Sequence, residues 1–135
     1  MSDPEIEVPH ILCVDDEADI LSITKLCLET VGGFRVSCCM SGGAAVEGIQ
    51  SISPDLVLLD VMMPNMGGPA TLLKLKAMPA NIYLPIVFMT ARVQPAEVQA
   101  YMDLGASAVI SKPFDPMELP TRVRQILADS RNVAN

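Results

Sequence analysis

Five short apolar runs, at 11–14, 34–38, 56–59, 86–89 and 108–110, alternate along the chain with segments of helical spacing. This alternation limits the fold more than any other feature, because strands joined through helices form right-handed crossovers and a parallel sheet covered on both faces. The runs Leu56-Val57-Leu58-Leu59 and Ile86-Val87-Phe88 are continuously apolar. They therefore read as central strands buried on both sides. A chain of 135 residues has room for one such unit. The folded part is expected over 10–128, between a flexible acidic segment at 1–9 and a polar, frayed tail at 129–135.

The intervening segments carry their own start and stop signals. Between Glu17 and Val31, the residues Ile20, Thr24, Cys27, Leu28 and Val31 share one helical face, and Gly32-Gly33 supplies the stop. A second helix is expected from Ser41, weakened by Gly42, Gly43 and Gly48. The third is expected to open at Gly68 with Pro69 and to run to about Met78. Pro95 opens the fourth and Gly105 closes it. In the last, Asp115 and Glu118 are placed for a capping box, and Phe114 and Leu119 for a hydrophobic staple. Its buried stripe would be Leu119, Val123, Ile126 and Leu127. Pro120 is expected to remove one hydrogen bond from its first turn.

Each of four apolar runs ends in polar residues that packing does not call for: Asp15-Asp16, Asp60, Thr90 and Lys112. A parallel sheet puts all four ends on one edge, the edge where open α/β folds bind ligands. Singly, each has an ordinary explanation, such as a helix cap, a turn cap or a surface ion pair. Four such accidents at four strand ends are far less expected. Three carboxylates in one crevice repel, by about 4 kcal/mol for a pair 4 Å apart at an effective dielectric of 20. They call for a cation. Mg²⁺ suits a few carboxylates and leaves coordination positions open for water and phosphate. With Lys112 as a second positive charge and the Thr90 hydroxyl as a donor, the site suits phosphoryl transfer to a carboxylate.

The formal net charge of −7 and the lack of a basic stripe argue against binding nucleic acid. The longest apolar runs fall far short of the roughly 20 residues needed to span a bilayer. The acidic N-terminal segment lacks the pattern of a secretory signal. A cytoplasmic protein without a membrane partner is expected. Cys13, Cys27, Cys38 and Cys39 form no Cys-x-x-Cys pair, and adjacent Cys38 and Cys39 would face opposite sides of a strand, so all four read as buried free thiols. His10 reads as a surface or edge residue. The nine methionines read mostly as gap fillers.

Four stretches, Val14-Asp15-Asp16-Glu17, the run from Asp60 through Met62, Pro64 and Gly67 to Gly68, Phe88-Met89-Thr90-Ala91 and Ser111-Lys112-Pro113-Phe114, resemble the signature segments of response-regulator receiver domains. They occur in the family's order, and the resemblance covers about residues 10–128. It implies a flavodoxin-like fold of strand order 2-1-3-4-5, the arrangement of the chemotaxis receiver. By the same resemblance Asp60 is the phosphoacceptor, and Asp15, Asp16, Asp60 and the backbone carbonyl of Met62 hold Mg²⁺. Thr90 and Lys112 contact the phosphoryl group, and the Lys112–Pro113 peptide is cis. The implied function is that of a signalling domain rather than an enzyme. A histidine kinase or histidine phosphotransfer protein supplies the phosphoryl group, and the surface of helix four, strand five and helix five then controls a partner or an output domain.

The sequence departs from that pattern in places. Family members usually carry an aromatic residue where this chain has Val109, so the signal must be read differently, with the loop from Ala91 to Pro95 and helix four as its expected carriers. Gly67 replaces the usual Asp or Asn and should loosen the loop after Asp60. Met62 and Arg92, two residues past Asp60 and Thr90, are expected to flank the phosphoryl group. Tyr101 and Met102 are candidates for partner contact. Two other readings compete with this one. A haloacid-dehalogenase-type phosphatase needs a second Asp where Met62 stands. A flavin or nucleotide module needs a Gly-rich turn where this chain has Asp15-Asp16-Glu17.

Overall fold

The structure, a computed structural model, describes residues 8–134. Of the segment expected to be flexible at the start, residues 1–7 lie outside the described residues. The chain runs β1 (His10–Val14), α1 (Ala18–Thr30), β2 (Arg35–Cys39), α2 (Gly42–Ile52), β3 (Leu56–Asp60), α3 (Gly68–Lys76), β4 (Ile86–Thr90), α4 (Pro95–Leu104), β5 (Ala108–Ser111) and α5 (Leu119–Ala134). A single 3-10 turn, Pro79–Asn81, links α3 to β4. All strands are parallel, in the order β2-β1-β3-β4-β5. The parallel sheet is the one that the alternation of runs called for, and its strand order is that of the flavodoxin-like fold that the resemblance implied.

The sheet separates two apolar layers. On one face Ile11, Cys13, Leu58, Val87 and Met89 pack with Leu21 and Leu28 of α1 and with Leu119, Val123, Ile126 and Leu127 of α5. On the other, Leu12, Val14, Val57, Leu59, Ile86 and Phe88 pack with Ala45 and Ile49 of α2 and Leu72 and Leu75 of α3. β3 and β4 are buried along their whole length, which is why their sequences do not alternate.

Several boundaries differ from expectation for identifiable reasons. β2 begins at Arg35 because the Phe34 amide donates to the Leu28 carbonyl at 3.0 Å, closing the end of α1. The buried stripe of α1 is Leu21, Thr24, Cys27 and Leu28. Thr24, Cys27 and Leu28 are buried as expected, but Leu21 takes the place of Ile20, which is half-buried, and Val31 is exposed. The Ser41 hydroxyl caps α2 as expected, accepting from the Ala44 amide at 3.0 Å. A Cβ on Gly42 would lie 2.1 Å from Thr71 Oγ1, so this glycine lets α2 approach α3. α3 stops at Lys76, whose ammonium donates to the carbonyls of Asn81 and Leu84 and ties down the link into β4.

The start of α5 also differs. Asp115 does not close a capping box; its carboxylate accepts from the Met117 amide at 2.9 Å, and its carbonyl accepts from the amides of Glu118 and Leu119. This forms a turn before the helix, which begins at Leu119. Pro120 therefore falls in the first turn, where no intrahelical amide bond exists to be lost. α5 then continues to Ala134, through the stretch expected to fray. Of the cysteines, Cys13 and Cys27 are buried, but Cys38 is exposed because β2 is an edge strand, and Cys39 is half-buried. His10 sits at the start of β1 with its Nε2 2.7 Å from the Ser37 hydroxyl. Among the described residues no helix is long and apolar enough to cross a membrane.

Candidate functional site

The C-terminal ends of the strands bring the four polar endings together. β1 pairs with β3 and β3 with β4, with Val14 beside Leu59 and Asp60 beside Met89. Asp15 and Asp16 thus stand next to Asp60, while Thr90 ends the neighbouring strand and lies beside Ser111 of β5. Each of Asp15, Asp16 and Asp60 offers a carboxylate oxygen within 4.8 Å of the others. Lys112 reaches across from the loop after β5. Its ammonium donates to Asp15 Oδ2 at 2.8 Å and to Asp60 Oδ1 at 3.1 Å.

Asp15 and Asp60 are each only 5% exposed. Asp15 is held on both oxygens, since Oδ1 accepts from the Glu17 amide at 2.9 Å while Oδ2 accepts from Lys112. Its helix-entry role and its site role therefore coexist. Burial pushes the Asp60 carboxyl above its ordinary value; the Lys112 hydrogen bond pulls it back only in part, and the charges of Asp15 and Asp16 push it further up. For Lys112, burial works against the charged form, yet the hydrogen bonds and charges of Asp15 and Asp60 outweigh it and raise the ammonium above its usual range. Both directions describe one condition, an acid-rich cleft that holds a cation tightly.

Three carboxylates against one ammonium leave the cleft with two negative charges in excess. A divalent ion supplies that balance. Oxygen-only donors, with room for water or phosphate, fit Mg²⁺. The donor set thus agrees with the metal expected from the sequence.

Thr90 is buried, and its hydroxyl accepts from the Arg92 amide at 3.0 Å. Met62, with Glu17, Ile20, Ala91 and Pro113, lines the mouth of the cleft holding Asp60, Thr90 and Lys112, and its side chain is largely exposed. Arg92 points outward, its guanidinium 4.0 Å from Glu97. Tyr101 is half-buried, with its ring edge-on to Phe88 at 5.1 Å between centroids. Met102 is the more exposed of that pair. Val109 is half-buried and registers with Phe88. The Lys112–Pro113 peptide is cis, as the resemblance implied.

Some residues shape the cleft in ways that the sequence does not signal. A Cβ on Gly68 would come within 2.6 Å of the Asp60 carbonyl and 2.9 Å of Val61 Cα. The start of α3 is therefore pressed against the end of β3, and the Gly68 amide donates to the Val61 carbonyl at 2.9 Å. This contact fixes the backbone that carries Asp60. Gly67 was expected to loosen the loop, but a Cβ there would meet the Val61 carbonyl at 3.1 Å, so the loop is closely packed. Ile20 lines the cleft because Leu21 takes its place in the buried stripe of α1.

Comparison with known proteins agrees with this geometry. The family model described as the response regulator receiver domain matches residues 11–124. The response regulator SaeR of Staphylococcus epidermidis is 36% identical over 119 residues, covering 88% of this chain and 50% of the relative. Rre1 of a Synechocystis species is 39% identical over 119 residues, covering 87% and 51%. The chain thus spans about half the length of these curated relatives. Among solved structures, the chemotaxis response regulator CheY4 of Vibrio cholerae superposes with a TM-score of 0.84 at 25% identity, covering 89% of this chain and 99% of that one. A CheY-like receiver domain protein of Methanospirillum hungatei gives 0.81 at 27% identity, covering 93% and 98%. With the matched model spanning most of the chain and the acidic cleft in place, this protein belongs to the response regulator receiver domain family.

Proposed function

We propose that this domain takes a phosphoryl group onto Asp60 from a histidine kinase or histidine phosphotransfer protein in the cytoplasm, and that the acyl phosphate is its signalling state. The observation that carries this reading is the Lys112 ammonium shared between the buried carboxylates of Asp15 and Asp60. An Asp60 oxygen attacks phosphorus, and the bond from phosphorus to the donor nitrogen breaks. The leaving imidazole keeps the electron pair and takes up a proton. Asp15, Asp16 and Asp60, with the Met62 carbonyl, would hold Mg²⁺, which when bound offsets charge on the transferring phosphoryl oxygens. Lys112 turns from Asp15 to a phosphoryl oxygen, and the Thr90 hydroxyl leaves the Arg92 amide to donate to another. The surface of α4, β5 and α5 then carries the change to a partner or an output domain. With its acidic balance, the domain itself would bind no nucleic acid.

Phosphatase action is disfavoured because Met62 stands where the second acid of a haloacid dehalogenase would be. Incubation with acetyl phosphate and Mg²⁺ separates the two readings. Intact mass should show one added phosphoryl group per chain, without turnover of phosphoesters such as p-nitrophenyl phosphate. Steady phosphoester hydrolysis would support the phosphatase instead.

Met62 at the cleft mouth is expected to slow hydrolysis of the acyl phosphate, because an apolar side chain neither orients nor admits the attacking water well. Met62→Asn should shorten the phosphoryl half-life severalfold, as followed by intact mass over time. A slower loss in the variant would contradict this role.

A further inference from the structure

We propose that Tyr101 is the side chain through which α4 senses the position of Thr90, pivoting on Phe88 when the Thr90 hydroxyl turns toward a phosphoryl group. The inference rests on Asp60 being the phosphoacceptor and names how that site is read.

α4 is loosely attached. None of its residues, all of them described, is fully buried. Its aromatic anchor is Tyr101, packed edge-on against the fully buried Phe88 with 69° between the ring planes. Phe88 and Thr90 are two apart on β4 and so project from the same face of the sheet. Tyr101 belongs to the apolar cluster on that face, together with Val109. Val109 lies opposite Phe88 on the adjacent strand, and as a short side chain it leaves room over Phe88 for the Tyr101 ring.

A second tie runs to the start of the same helix. The Thr90 hydroxyl accepts from the Arg92 amide, the Arg92 guanidinium pairs loosely with Glu97, and Glu97 Oε1 accepts from the Gln94 amide at 3.3 Å, completing a capping box. Turning Thr90 toward Asp60 releases the Arg92 amide and opens space beside Phe88. Both changes act on α4, one at its first turn and one beneath Tyr101. A helix held by so few buried contacts is the element most readily displaced.

The chain has two tyrosines, Tyr83 and Tyr101, so their ring signals can be assigned by NMR with Tyr83→Phe. Titration with beryllofluoride and Mg²⁺ should shift the Tyr101 ring signals and leave those of Tyr83 in place. Tyr101→Ala should raise amide exchange across residues 95–104 of the unliganded protein by about tenfold, the scale set by losing one aromatic pair, while beryllofluoride still binds. Saturation of Asp60, seen by fluorine NMR, with unmoved Tyr101 signals overturns the inference and leaves the phosphoacceptor reading intact. Unchanged exchange in Tyr101→Ala overturns it as well. A protein that takes up no beryllofluoride overturns both.

Discussion

Lys112→Met is expected to lower stability in metal-free buffer at neutral pH by about 3–5 kcal/mol, the usual cost of removing one partner from a buried charged pair. The Lys112 side chain is 16% exposed, and the Asp15 and Asp60 side chains that it joins are 7% and 6% exposed. Methionine keeps the stem but leaves two carboxylates facing each other with no positive neighbour. Much of the loss should return on adding Mg²⁺, because a bound cation replaces the missing charge and stabilises by mass action. Urea denaturation with and without Mg²⁺ measures both effects. Phosphoryl uptake from acetyl phosphate should also slow by about 10²–10³-fold, the range seen when one transition-state donor is removed. A variant as stable as the parent without metal would show that the ammonium does not balance the cleft.

Asp60→Asn is expected to act on stability in the opposite direction. The Asp60 carboxyl is raised above its ordinary value by burial and by Asp15 and Asp16, despite Lys112. A carboxyl raised on folding contributes stability that is complete below its unfolded pKa and is lost as pH rises through its folded pKa. At neutral pH the ionised Asp60 is therefore a burden on the fold. Asparagine removes that charge and can still accept from Lys112, so the variant should gain on the order of 1 kcal/mol without metal. It should also lose most of the Mg²⁺-linked stabilisation, which for an intact site at a hundredfold excess over Kd is about 2.7 kcal/mol. Thermal melts from pH 4 to 8 test the sign. The parent should lose stability relative to the variant as pH rises, and a constant difference would contradict the assignment of strain to this carboxylate.

These effects trace to residues that were legible in the sequence because each breaks a local rule. Asp60 and Thr90 end apolar runs that become strands buried on both faces, where packing alone would place another apolar residue. Topology then brings them beside Asp15 and Lys112. Gly68 was legible only as the start of a helix, because its need to lack a side chain comes from the Asp60 carbonyl pressed against it. Ile20 looked like core because the spacing fits two adjacent stripes on α1, and the choice between them is made by contacts with the sheet. Tyr101 looked like a surface aromatic for a similar reason. Its inward position depends on Phe88, which no local pattern connects to it. At α5, the spacing of Asp115 and Glu118 matched a capping box, but the backbone spends those residues on a turn before Leu119. Such misses share a cause: they are decided by neighbours distant in sequence or by competing local turns.

The central claim is that a buried carboxylate among metal-binding acids becomes an acyl phosphate. It is tested most directly by locating the modified side chain. After brief exposure to acetyl phosphate, borohydride reduces an acyl phosphate to the alcohol, and peptide mass spectrometry then finds the altered residue. Asp60 should be converted to homoserine, in a reaction dependent on Mg²⁺ and abolished by a chelator. Conversion at Asp15 or Asp16 instead, or labelling of Asp60 that persists with the metal removed, would contradict it.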